Sequence, residues 1–177
     1  MKKNLLYTLL FGLTVLVGCG GDDEPAPHQV GTWLLDSYIL TGTPSAYSLN
    51  DGLVYTINQI RFGNTVYESY KLELLKNGTY TRKIEVPGPS INDSGTWTID
   101  DEDFILESDD VTEDYTLERN ETDQLWISEP RNFLLLPNNI LDTLTNAYVA
   151  TLTEQEFVDL HDEVTIDFIY AFERETD

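Results

Sequence analysis

This 177-residue sequence predicts an all-β fold: an antiparallel meander, either a sandwich or an up-and-down barrel of about eight strands, with one short helix before the last strand. Three observations carry that reading. Apolar and polar residues alternate along most of the chain after Gly31. Turn signals interrupt the alternation at intervals of about ten residues. The tripeptide Gly-Thr-Trp occurs twice, at Gly31-Thr32-Trp33 and Gly95-Thr96-Trp97, each time opening an alternating stretch.

The chain begins outside that pattern. Lys2 and Lys3 precede the apolar run "LLYTLLFGLTVLVG", which has the length of a secretory leader and is too short for an ordinary membrane span. The run stops at Leu16-Val17-Gly18-Cys19, a hydrophobic residue and small residues followed by cysteine, which resembles the lipobox of bacterial lipoproteins. That resemblance implies cleavage before Cys19, a diacylglyceryl group on its thiol and an acylated (palmitate-type) amino terminus. Acyl chains contribute about 0.8 kcal/mol per buried CH₂, and two or more hold a protein to a bilayer durably. Cys19 is the chain's single cysteine, so no disulfide or cysteine nucleophile competes for it.

Three segments follow: a signal peptide at 1–18, a lipidated cysteine with a flexible acidic tether at 19–29, and the barrel domain at 30–177. Gly20, in place of an aspartate, argues against retention at an inner membrane. Asp22, Asp23 and Glu24 resemble the export signal of surface lipoproteins, so the expected location is the outer membrane, lipid-anchored and displayed on the cell surface. Loss of residues 1–18 removes two lysines and leaves 8 basic against 32 acidic residues over 159 positions, a net charge of −24. Such a charge repels phosphate backbones and excludes nucleic acid as a partner. It keeps a surface protein soluble and is compatible with basic partners.

Strands are expected near 32–40, 54–62, 65–75, 79–86, 95–99, 103–108, 114–119, 124–129 and 163–174, with one early segment irregular. In "VYESYKLELL" Val66, Tyr70, Leu72 and Leu74 share a side; in "TYTRKIEV" Tyr80, Ile84 and Val86 do; in "VTIDFIYAFE" Val164, Ile166, Phe168, Tyr170 and Phe172 do. Asn77-Gly78 between two such runs is a hairpin cue. "NDSG", "DDED" and "ERNETDQ" read as further turns, and "PRNFLLLPNN" as a loop or short edge piece. Thr153 with Glu156 three residues on makes a capping box, placing one helix in "TEQEFVDLHDE".

Each repeated glycine lets a strand start tightly, and Trp33 and Trp97 point inward as plugs at the barrel base. Gly31-Thr32-Trp33 is similar to the Gly-X-Trp signature of lipocalins and related calycin barrels. The stretch "YKLELLKNGTYTRKI … SGTWTID … FILES" looks like the bacterial lipocalin-like domains of lipid-anchored proteins. The resemblance covers roughly Gly31 to Glu129 plus the last strand. It implies the up-and-down barrel and not the sandwich, with a basic residue on that strand covering the first Trp, and Arg174 holds the matching place. The family's Thr-Asp-x-Tyr motif has only a scrambled echo at Thr112 to Tyr115.

The sequence offers little chemistry. His28 lies in the tether and His161 in the solvated run "DLHDE", so no base accompanies a nucleophile, and no phosphate loop, zinc spacing or dinucleotide fingerprint occurs. The chain is read as a non-enzyme without a cofactor. Asp100, Asp101 and Asp103, like Asp109, Asp110 and Asp114, read as solvated turns and not as a metal site. The expected function is binding of a small apolar or amphipathic ligand inside the barrel, with Tyr70, Leu72, Tyr80, Ile84, Phe168 and Tyr170 as the lining. Those side chains equally suit a solid core. The alternative is then a non-catalytic interaction module that docks on an envelope protein or a glycan.

Overall fold

A computed structural model of the chain describes residues 27–62 and 65–176. The leader, Cys19 and the first part of the tether lie outside the described residues. Eight strands close into an antiparallel barrel: β1 (Gly31–Thr41), β5 (Ser69–Leu74), β6 (Thr79–Glu85), β7 (Ile91–Asp100), β8 (Asp103–Glu107), β9 (Thr112–Asn120), β10 (Gln124–Leu135) and β11 (Asp162–Arg174). Each pairs with its successor, and β11 returns to β1 from Trp33↔Arg174 to Thr41↔Asp167, which removes the free sheet edges that invite aggregation. The order is the expected up-and-down meander.

Between β1 and β5 the chain makes three short pieces: β2 (Leu53–Thr56), β3 (Arg61–Phe62) and β4 (Thr65–Val66). They replace the continuous strand expected at 54–62 and the early part of the one at 65–75. The reason lies in the register of β1. Its first half, Gly31–Leu34, pairs with β5, whereas Ser37–Leu40 pairs with β2, so β2 extends the wall where β5 has already left it. A bulge between Leu35 and Ser37 resets the alternation, so that Trp33 and Leu35 before it and Tyr38 and Leu40 after it are all buried.

The segment between β10 and β11 holds three single-turn helices: α1 (Asn138–Leu141), α2 (Asn146–Val149) and α3 (Glu154–Val158). The expected capping box is present at α3, where the Thr153 hydroxyl accepts from the Glu156 amide and the Glu156 carboxylate accepts from the Thr153 amide. Of "PRNFLLLPNN", expected as a loop or short edge piece, Pro130–Leu135 is the second half of β10, paired with β11 as far as Leu135↔Asp162, and Asn138 opens α1. Beyond Ser128 β10 has no ladder on its β9 side, and such a one-sided strand is where Pro130 is tolerated.

The two ends of the barrel differ. The turns β5–β6, β7–β8 and β9–β10 and both ends of the described chain gather at one end, the base. The connections β1–β5, β6–β7, β8–β9 and β10–β11 gather at the other, the mouth. The base is packed solid: Trp33, Leu72, Leu74, Leu106, Leu125 and Phe172 are fully buried, each contributing about 1.5–3 kcal/mol relative to exposure. The fold also takes in the last residues of the expected tether. Gln29 is buried, and its carbonyl accepts from the Trp33 indole at 2.7 Å.

Candidate functional site

Residues at inward-facing positions decide what the barrel can hold. On β5 and β6 the pairs Tyr70↔Ile84, Leu72↔Arg82 and Leu74↔Tyr80 share the inner face. Across to β7, Arg82 lies opposite Asp93, and across β8 and β9, Leu106 lies opposite Glu113 and Phe104 opposite Tyr115. On β10 the inner positions after Ile127 are Glu129, Arg131 and Phe133. Near the mouth, therefore, the strands carry charged groups on the face that carries leucine and phenylalanine near the base.

The charges are paired. The two terminal nitrogens of Arg82 donate to Glu113 and Asp93, each at 2.5 Å, and the Tyr80 hydroxyl donates to the same Asp93 oxygen at 2.8 Å. Arg82 lies 3.5 Å from the Tyr70 hydroxyl, a long contact. On the opposite wall Arg131 donates to Glu129 at 2.7 Å and to the Tyr170 hydroxyl at 2.6 Å, while that hydroxyl donates to Glu129 at 2.6 Å. The Arg131 guanidinium also lies 5.0 Å from the Phe168 ring centre, within cation–π range.

Between the two clusters stand tyrosines at steep angles to one another. Tyr70 meets Tyr170 with ring centres 6.4 Å apart, Tyr115 meets Tyr170 at 5.9 Å, and Tyr67 meets Tyr70 at 6.4 Å, all edge-to-face. The four tyrosines, the Arg82–Glu113 and Arg131–Glu129 pairs, Ile84, Thr112 and Asp114 line a pocket of about 420 Å³. Beside the pocket the wall parts. The β9–β10 ladder ends at Ser128↔Thr116, after which β9 follows β8 and β10 follows β11. Glu113 and Tyr115 on β9 and Glu129 and Arg131 on β10 lie beyond the last pair of that ladder, and all four line the pocket.

Electrostatics fixes the protonation of the lining. Burial raises the phenol pKa of Tyr170, an effect that Glu129 adds to and Arg131 opposes. Burial likewise lifts Tyr115, with Tyr70 and Glu113 adding to it, and pushes Tyr70 up to about 12 against the opposing charge of Arg82. For Asp93 burial works upward, but the hydrogen bond from Tyr80 and the charge of Arg82 outweigh it and hold the carboxyl below its usual range. Burial alone would lower the pKa of Arg82, yet Tyr70 and Glu113 keep it raised. At neutral pH the pocket's phenols are thus neutral and Arg82 and Arg131 are charged.

Of the six side chains expected to line a cavity, Tyr70, Ile84 and Tyr170 border this pocket. Leu72, Tyr80 and Phe168 are fully buried in the packed interior and lie outside its lining. Gly31, Trp33, Trp97 and Arg174 sit at the base. The Arg174 guanidinium lies 4.3 Å from the Trp33 ring centre and donates to the carbonyls of Val30, His28 and Thr122, while Trp97 donates its indole N–H to Leu75 at 3.0 Å. Sequence reasoning passed over Arg82, Asp93, Glu113, Tyr115, Glu129 and Arg131. The signal that finds them is parity: Tyr115 is the buried residue of β9, and each of the others falls two or four residues from a buried residue of its own strand.

Neither histidine borders the pocket, and among the described residues no cluster of three or more His, Cys, Asp or Glu side chains is arranged to hold a metal ion. The fold and the site together define a closed up-and-down β-barrel, solid at the base and polar at the mouth. No protein-family model, curated protein or solved structure matches the chain.

Proposed function

We propose that this chain is a lipid-anchored protein of the cell envelope whose barrel binds a small amphipathic ligand at its mouth without transforming it. The observation that carries the reading is the pocket itself. A cavity of about 420 Å³ joins the apolar surface of Ile84 and four tyrosine rings to two guanidinium–carboxylate clusters, and it falls within the ~300–1,000 Å³ range of small-molecule sites. A wholly apolar ligand would leave those buried charges without water, so the amphipathic form of the expectation is favoured. The resemblance to lipocalin-like lipoproteins is supported by the eight-stranded meander and by the Arg174–Trp33 stack. The lipobox-like Leu16–Cys19 supports an anchor, and Gly20 with the acids behind it supports an outer-membrane, surface-facing location.

Titration of the protein with an environment-sensitive fluorescent amphiphile tests the binding function. Saturable uptake, lost in Tyr170→Trp, which fills the pocket, is the expected result; no saturable uptake by the native protein overturns the reading. Metabolic labelling with an alkynyl fatty acid tests the anchor, with incorporation abolished by Cys19→Ser. Trypsin applied to intact cells tests display, because full protection would place the domain on the periplasmic side.

The docking alternative has one observation in its favour. Leu141, Tyr148, Phe157 and Val158 are exposed apolar side chains on the three helical turns at the mouth. Crosslinking on intact cells separates the two readings: a stable adduct with an envelope protein that is lost in Phe157→Asp, with no amphiphile uptake, favours docking.

A further inference from the structure

Both arginines of the pocket already hold carboxylates, and this restricts what it accepts. Each guanidinium holds a carboxylate at 2.5 Å: Arg82 with Glu113 and with Asp93, Arg131 with Glu129. An anionic ligand would have to displace one of these carboxylates or sit beside it. A cationic ligand that reached a carboxylate oxygen would sit beside the charge of the arginine that the carboxylate already holds. Breaking a partly buried pair leaves one charge uncompensated, and sitting beside an intact one meets a like charge, so both routes are disfavoured.

A neutral group carrying several hydroxyls has neither problem. A hydroxyl donates one proton and accepts at two lone pairs, so it adds to an existing ion pair, donating to the carboxylate and accepting from a guanidinium or phenol. Acceptors remain for this. Glu113 uses Oε2 toward Arg82 and Glu129 uses Oε1 toward Arg131 and Tyr170, which leaves Glu113 Oε1 and Glu129 Oε2 without hydrogen bonds among the described residues. The tyrosines answer the other half of such a ligand. Tyr70, Tyr115 and Tyr170 meet edge-to-face at 69° and 83°, so the pocket offers differently oriented aromatic surfaces on which the C–H faces of a ring can pack. The phenol hydroxyls bridge these surfaces to the ion pairs.

We propose that the occupant of this pocket is a neutral saccharide, one sugar ring resting on Tyr70, Tyr115 and Tyr170 with its hydroxyls spanning the Arg82–Glu113 and Arg131–Glu129 pairs. The proposal rests on the reading of the barrel as a small-molecule binder and names the class of molecule bound. The split between β9 and β10 gives the ring its way in, and a longer glycan leaves by the same opening.

Saturation-transfer NMR on the delipidated native protein tests this. The probes are the methyl glycosides of glucose, galactose, mannose and N-acetylglucosamine, set beside octyl glucoside, octyl phosphate and octylammonium. The expected result is transfer to at least one neutral glycoside, displacement of the fluorescent amphiphile by that glycoside, and no displacement by the charged octyl compounds at equal concentration. Glu129→Gln and Glu113→Gln, each confirmed as folded by circular dichroism, are expected to weaken the glycoside at least tenfold, whereas Lys83→Gln on the outer wall leaves it unchanged. If octyl phosphate or octylammonium displaces the amphiphile and no glycoside does, the saccharide assignment is overturned while the barrel remains a small-molecule binder. If neither glycosides nor amphiphiles bind, both readings fall.

Discussion

Gly31 and Gly95 hold the same place in the two Gly-Thr-Trp copies and are needed for different reasons. A Cβ on Gly31 would overlap the Arg174 guanidinium, and the residue has φ +149°, a conformation that side chains rarely adopt. A Cβ on Gly95 would overlap the Glu107 carbonyl and crowd the Cα of Ser108, so here the obstacle is the neighbouring backbone. Gly95→Ala is therefore expected to destabilise the barrel by about 1–3 kcal/mol or more, since strand β8 cannot retreat without breaking its ladder. Arg174→Ala removes a charged donor from the carbonyls of Val30, His28 and Thr122 and uncovers Trp33, a loss of about 1.5–3 kcal/mol. A double-mutant cycle by urea unfolding separates the two glycines. Gly31→Ala is expected to cost less in the Arg174→Ala background, because its obstacle is gone, whereas Gly95→Ala costs the same in both. Equal costs for Gly31→Ala would show that backbone strain and not the guanidinium governs that position.

Among the elements, α3 and β7 show how charge can help or mislead a reader of the sequence. The α3 capping box was legible because both partners lie within one turn of chain. Thr153→Ala is expected to weaken α3 by about 1 kcal/mol, seen as faster amide exchange at Glu156 and Phe157. The global melt should hardly move, because α3 buries none of its residues. The Asn77-Gly78 hairpin was legible for the same local reason: Gly78 takes φ +79° and the Asn77 side chain accepts from the Thr79 hydroxyl at 2.7 Å. By contrast "NDSG" reads as a turn yet belongs to β7. Asp93 is a strand residue because Arg82, a neighbour across the ladder, supplies its countercharge. The same long-range pairing hid Glu113, whose partner Arg82 lies on another strand, while Glu129 and Arg131 pair within β10 and are tied to the interior through Tyr170 of β11. Packing was thus readable strand by strand, and the site was not. Arg82→Met puts this to a test. With Asp93 and Glu113 left facing each other, the loss at neutral pH should be about 3 kcal/mol. It should shrink as the pH falls and Asp93, whose carboxyl Arg82 holds below its usual range, becomes protonated. A deficit independent of pH would mean that packing, not charge, is what Arg82 contributes.

At the scale of the whole molecule the tyrosines set the upper pH limit of the fold. Tyr38, Tyr70, Tyr80, Tyr115 and Tyr170 are buried, and Tyr67 is half-buried among them. Burial is the first cause of the raised pKa of all six phenols. Each is neutral in both folded and unfolded chains below about pH 10, so their contribution to stability is fully present there. As the pH rises past 10 the unfolded chain releases phenol protons that the folded barrel retains, and the balance tips toward unfolding. Tyr70, held at about 12, alone loses about 2–3 kcal/mol between pH 10 and 12. Six such groups acting together should collapse a fold whose net stability is about 5–15 kcal/mol. The net charge of −22, made more negative as lysines deprotonate, works in the same direction. Near-ultraviolet phenol titration alongside far-ultraviolet circular dichroism checks this. Most phenols should ionise in one steep step that coincides with the loss of β-structure, and Tyr115→Phe together with Tyr80→Phe should move that step to higher pH. Smooth ionisation of all phenols near pH 10 with the barrel intact would mean that water reaches the interior, and the packed base with a single polar mouth would have to be abandoned.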